Sequence, residues 1–93
     1  LIVENNFLIG EYFFAQDKID SAAVYFSKAV DALNQEITNA RQRDCFYMAW
    51  YTAIYYKRYG ECIVIADKFK SLINESSDYT SLAIYYFFYE NIF

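Results

Sequence analysis

The stretch IDSAAVYFSKAVDAL, residues 19–33, is answered forty residues later by YGECIVIADKFKSLI, residues 59–73. Sliding the chain against itself by that distance brings Val24 onto Val64, Lys28 onto Lys68 and Asn34 onto Asn74 as identities. Lys18 falls on Arg58, Ala22 on Cys62 and Leu33 on Ile73 as near-equivalents. One pair is exchanged: Phe26 and Ala29 become Ala66 and Phe69. The summed volume is kept, as expected where packed helices need one ring and one gap. A fixed period between about 20 and 50 residues is the signature of stacked repeats, in which each unit hides its apolar face against the next.

The units read as helical. The chain has no proline and two glycines, Gly10 and Gly60, so strong loop punctuation is nearly absent. Ala22, Phe26, Ala29, Val30, Leu33 and Ile37 form one stripe of a 3.6-residue period. Asp20 and Ser21 stand where an N-cap would accept the orphan amides of that helix. The same spacing predicts a first helix over 3–16, with Ile9, Gly10, Phe13 and Phe14 on its buried side, and a third over 41–57 through Phe46, Ala49, Trp50 and Ala53. A fourth over 61–74 runs through Cys62, Ile65, Ala66, Phe69, Leu72 and Ile73, and a fifth begins at Tyr79. Connections of about three to five residues force neighbouring helices antiparallel.

The aromatic runs WYTAIYY and IYYFFY also suit strands by composition, but their flanks lack turn residues. The expected fold is therefore all-α, an α-α superhelix of about five helices stacked as antiparallel hairpins in a single domain. Repeat one covers 3–37, repeat two 41–75 and a truncated repeat three 79–93. With Leu1 at one end and an apolar run closing on Phe93 at the other, the sequence reads as an excerpt from something longer.

Hydrophobic residues make up 57 % of the chain, with 11 Tyr and 9 Phe, far beyond a disordered segment. A chain of this length buries only about two-thirds of its unfolded surface, so either the core is unusually aromatic or some rings face a partner. The net charge of −4 repels a phosphate backbone, and nucleic-acid binding by this segment is not expected. The longest uncharged run, residues 45–56, falls short of the roughly 20 apolar residues of a membrane span. The compartment is left open, with the cytoplasm favoured. Cys45 and Cys62 fall near the N-terminal ends of successive antiparallel helices, roughly 20 to 25 Å apart. That exceeds the reach of about 7 Å that a disulfide allows, so both are expected to be free packing thiols.

Chemistry is sparse. There is no histidine, which removes the commonest general base and most zinc sites. Carboxylate pairs such as Asp17 with Asp20 and Glu4 with Glu11 sit at helix ends and on exposed faces, where solvation and the helix dipole account for them. No glycine-rich phosphate loop, nucleophile elbow or kinase signature occurs. A non-catalytic chain without metal or cofactor is expected.

Ile9, Gly10, Phe13, Ala22, Phe26 and Ala29 follow one another with the gaps of a helix-turn-helix unit in which a small residue and an aromatic on the first helix meet small, aromatic and small residues on the second. In this the first unit resembles the tetratricopeptide repeat, and the resemblance covers about residues 4–76. The second unit departs from it: Trp50 replaces the small residue, Ala53 the aromatic, and Cys62, Ala66 and Phe69 keep the second-helix pattern in part. Asn34 stands where the family usually carries a helix-ending proline. The forty-residue period exceeds the usual 34, which implies second helices longer by about a turn.

The resemblance implies a protein or peptide interaction scaffold whose concave groove is lined by the first helix of each unit. The matching positions are Glu4, Phe7, Glu11 and Phe14, then Asp44, Tyr47, Tyr51, Ile54 and Tyr55, then Phe87 and Asn91 in the third unit. Rings broken by acids suit a ligand with apolar or aromatic anchors and a Lys or Arg. The bland alternative is that these rings fill the inter-helix core or pack against a further repeat. A second functional reading makes the chain the sensory or regulatory repeat region of a larger bacterial transcriptional regulator or signalling kinase; a third makes it a structural spacer. Tyr85, Tyr86, Phe87, Phe88 and Tyr89 ring the fifth helix on every side, which predicts self-association through residues 79–93.

Overall fold

The computed structural model describes residues 1–92, and Phe93, the last residue assigned to the third repeat, lies outside the described residues. Five α-helices and no strand are present among them: α1 (Ile2–Ala15), α2 (Ile19–Ala32), α3 (Ala40–Tyr55), α4 (Tyr59–Ser71) and α5 (Tyr79–Ile92). Each helix packs on the next in sequence, and α3 also meets α5. Ring contacts join α1 to α3 and α3 to α5, while Lys68 joins α4 to α2. The result is a stack of helix hairpins, all-α as expected.

The two hairpin turns are one object built twice. In the first, the Asp17 N–H donates to the Phe14 carbonyl and the Lys18 N–H to that of Phe13, both at 3.0 Å. In the second, the Lys57 N–H donates to Ile54 and the Arg58 N–H to Ala53, both at 2.9 Å. This paired bonding closes a helix by putting one residue in the left-handed region, where glycine is usual. Here Asp17 (φ 61°) and Lys57 (φ 57°) fill that place. The turns exit straight into α2 and α4, so α2 is capped by Lys18 with no side-chain bond. Asp20 does not cap as expected, because it lies inside the first turn, where its Oδ1 accepts the Ser21 N–H at 2.8 Å.

The connections between hairpins differ from expectation. They span residues 33–39 and 72–78, longer than the predicted three to five. The second helices are not extended, at 14 residues for α2 and 13 for α4; the extra length of the period goes into these connections. Leu33 and Ile37 remain buried, at 2 % and 3 % exposure, but from the non-helical connection beyond α2, which Leu33 enters in an extended conformation. The Ile37 N–H donates to the Leu72 carbonyl at 2.9 Å. Lys68 Nζ donates to the Val30 and Asp31 carbonyls at 2.6 and 3.3 Å, a cation on the negative end of the α2 dipole. That contact gives the repeated lysine a role in the second unit.

Side-chain caps end both connections. Asn39 Oδ1 accepts the Gln42 N–H at 2.9 Å, and Gln42 Oε1 accepts the Thr38 N–H at 2.7 Å. Asp78 accepts from the Ser81 N–H at 3.0 Å and the Ser81 hydroxyl at 2.6 Å. The Ser81 hydroxyl bond above all, helped by Arg43 at 3.8 Å, holds the Asp78 carboxyl below its ordinary range.

Phe26, Phe46, Phe69 and Phe88 are fully buried, one ring from each of α2, α3, α4 and α5. Phe46 meets Phe69 at 5.0 Å, Phe69 meets Phe88 at 5.6 Å, and Trp50 stacks on Phe88 at 4.9 Å. A Cβ on Gly10 would lie 2.7 Å from the Phe26 ring, so the missing side chain is what lets α1 and α2 approach. Ile9, expected on the buried side of α1, is 39 % exposed. Cys45 and Cys62 are free and buried. Burial, above all, pushes the Cys45 thiol up to about 11.

Candidate functional site

Residues three, four and seven apart share a helix face. Glu4, Phe7, Glu11 and Phe14 therefore form one line on α1, Asp44, Tyr47 and Tyr51 another on α3, and Phe87 and Asn91 a third on α5. Stacking the hairpins sets these lines side by side. The Phe14 ring meets Tyr51 edge-on at 5.9 Å. Tyr51 stacks with Tyr47 at 6.4 Å, and Tyr47 with Phe87 at 6.2 Å. Four rings from α1, α3 and α5 thus make one continuous ladder. Tyr47, Tyr51 and Phe87 keep 36 %, 37 % and 43 % of their surface exposed, and Phe14 is half-buried.

Not every predicted position joins this ladder. Phe7 is 3 % exposed and packs 5.6 Å from Phe26, so it belongs to the core beneath. Its remaining face carries the Arg41 guanidinium at 5.2 Å. Tyr55 pairs edge-on with its neighbour Tyr56 at 5.1 Å, and Ile54 is half-buried against the core. Asn91 is exposed, with its amide donating to the Phe87 carbonyl at 2.8 Å, one turn back on its own helix. Glu4, Glu11 and Asp44 are exposed. The Asp44 and Glu11 carboxylates both reinforce the upward shift of the Cys45 thiol, against the Arg41 cation.

Two neighbours were not legible in advance. Trp50 lies 5.6 Å from Phe87 and backs the ladder from the core, since α5 docks over it. A cleft of about 780 Å³ opens at the start of α1, between Glu4, Phe7, Leu33, Asn39 and Arg41. The α2–α3 connection supplies Leu33, Asn34 and Asn39 to its lining, and the length of that loop is something helical periodicity does not report.

No group of three His, Cys, Asp or Glu side chains suited to a metal occurs among the described residues. No helix among them is long and apolar enough to cross a membrane. Comparison with protein-family models, with curated proteins and with solved structures finds no match to this chain.

Proposed function

We propose that the chain is a non-catalytic interaction scaffold of the tetratricopeptide-repeat type, gripping a protein or peptide segment on the face formed by α1, α3 and α5. The observation that carries this reading is the exposed ladder Phe14–Tyr51–Tyr47–Phe87. A ring already stacked on its neighbour has little freedom left to lose, so contact area is gained at low entropic cost. Aromatic side chains so placed dominate binding energy. The neighbouring carboxylates of Glu11 and Asp44 select the ligand: apolar or aromatic anchors with a Lys or Arg beside them. The resemblance of the first unit to the tetratricopeptide repeat supports the same face.

The test is a peptide-array screen followed by titration of the best sequences into the chain and into Tyr47→Ala, Tyr51→Ala and Glu11→Lys variants. Aromatic-basic peptides are expected to bind, each tyrosine change to cost more than about 1 kcal/mol, and the charge reversal to weaken basic peptides selectively. Melting temperatures should stay within a few degrees. If no peptide binds and the tyrosine changes only lower the melting temperature, the ladder is a structural seam and the reading fails.

A further inference from the structure

Helix α5 is packed on one side only. Ser81 and Phe88 are fully buried, with Leu82, Ile84, Tyr85 and Ile92 half-buried around them. About half a turn away runs a line of exposed residues, Tyr79, Ala83, Tyr86 and Glu90. The two tyrosines are 73 % and 57 % exposed, and Glu90 is the only charged residue of the helix. Each earlier first helix has a second helix against it, α2 on α1 and α4 on α3.

We propose that this line is the self-recognition surface of a two-fold dimer, in which α5 lies antiparallel to α5 of a second copy, with Ala83 against the other copy's Tyr86 and Tyr79 against its Glu90. The spacings four, three and four are symmetric about a point between Ile84 and Tyr85, so an antiparallel partner maps the line onto itself. In that register the Tyr86 ring of each copy meets the small Ala83 side chain of the other, which lets helix ridges enter grooves. Each carboxylate meets a phenol. The Tyr79 hydroxyl now makes only a long 3.4 Å bond to the Ser76 carbonyl, which a charge-assisted bond to Glu90 would replace with a stronger one. A parallel pair fails on the same four residues: ring faces ring at two levels, Ala83 faces Ala83 across a gap, and Glu90 faces Glu90. Self-complementarity of this kind is what an isologous interface requires.

The flanks are compatible with the dimer. Phe87 turns toward Tyr47 on one side and Tyr85 toward Lys70 on the other, the ammonium lying 5.1 Å from the ring.

Sedimentation of the full 93-residue chain across a concentration series tests the proposal. A reversible monomer–dimer equilibrium is expected, and Ala83→Glu should raise its dissociation constant by about tenfold or more, because a charge is forced into an apolar contact. Tyr79→Glu should loosen the dimer, since it then faces Glu90. Adding Glu90→Lys to that change should restore it, with a new sensitivity to salt. In a parallel pair the double variant would still set like charges together at both ends, as the single one does, and would recover nothing. Circular dichroism confirms that each variant stays helical. A chain that remains monomeric, a dimer indifferent to Ala83→Glu, or a double variant no tighter than the single one overturns the proposal.

Discussion

In the first hairpin the large ring at the helix crossing comes from the second helix; in the second hairpin the forty-residue equivalents reverse the arrangement. Gly10 faces Phe26 across a gap with no room for a methyl, whereas the corresponding positions hold Trp50 and Ala66, both buried. The source of the ring is exchanged between the helices, and Trp50 with Ala66 is the bulkier pair. The exchange has a consequence for the next element. Phe26 stays within its own hairpin and α1, 5.6 Å from Phe7 and 6.5 Å from Phe14. Trp50 reaches forward and stacks on Phe88 of α5. The first unit thus closes on itself, while the second builds the platform that docks the third.

The largest effect that should separate the two hairpins is at Trp50. Trp50→Ala is expected to cost about 3 to 5 kcal/mol, read as a shift in the urea midpoint by circular dichroism, with α5 released first. Trp50→Phe should cost less than about 1.5 kcal/mol, because ring volume is largely kept and the lost indole N–H has no acceptor among the described residues. Gly10→Ala makes the reciprocal test. A methyl there meets an immobile, fully buried ring, and overpacking of about 1 to 3 kcal/mol outweighs the roughly 1 kcal/mol of added helix propensity. Combining it with Phe26→Leu should recover part of the loss, and a double-mutant cycle that is simply additive would show that the two sites do not share the space.

Next in size is the cap that starts α5. Asp78→Ala should cost about 1 kcal/mol. Because the folded pKa of Asp78 lies below its ordinary value, its contribution is complete above the unfolded pKa near 4 and is lost as pH falls through the folded one. The chain has a single Trp, stacked on α5, so an acid titration followed by tryptophan emission should show α5 loosening early. Asp78→Asn keeps the capping oxygen and should flatten that titration; an unchanged acid transition would assign the event to other carboxylates.

The smallest effect tests the likeness of the hairpins, not their difference. Asp17→Gly and Lys57→Gly each relieve a left-handed backbone worth roughly 1 to 2 kcal/mol of steric cost, less the added freedom of the unfolded chain. Each should raise thermal stability by about 1 kcal/mol or less, and by similar amounts. Unequal gains in a calorimetric comparison would mean that the matching hydrogen bonds do not make the turns energetically equivalent.

Much of this was legible beforehand for a physical reason. The five helices, their antiparallel order and the buried stripes of α2, α3 and α4 follow from apolar periodicity in a chain without proline. The helix ends did not follow, because the turns use Asp17 and Lys57 where a reader looks for glycine, and because Leu33 and Ile37 continue the apolar spacing past the last helical residue. Of the groove residues, Tyr47, Tyr51, Phe14 and Phe87 were legible as one face. Phe7 was not separable from them, since an apolar residue at the same helical angle is core or surface according to what lies above it.

The sequence by itself determined that this protein is helical, repeated at forty residues, and rich enough in rings that either its core is unusually aromatic or some of them face outward. Those properties rest on local rules: backbone freedom, the helical period and the surface a short chain can bury. Only the tertiary structure decided which rings are spent inside and which are left on the ladder. Burial is set by neighbours distant in sequence, as when Phe88 covers Trp50 and leaves Tyr47 and Phe87 side by side at the surface.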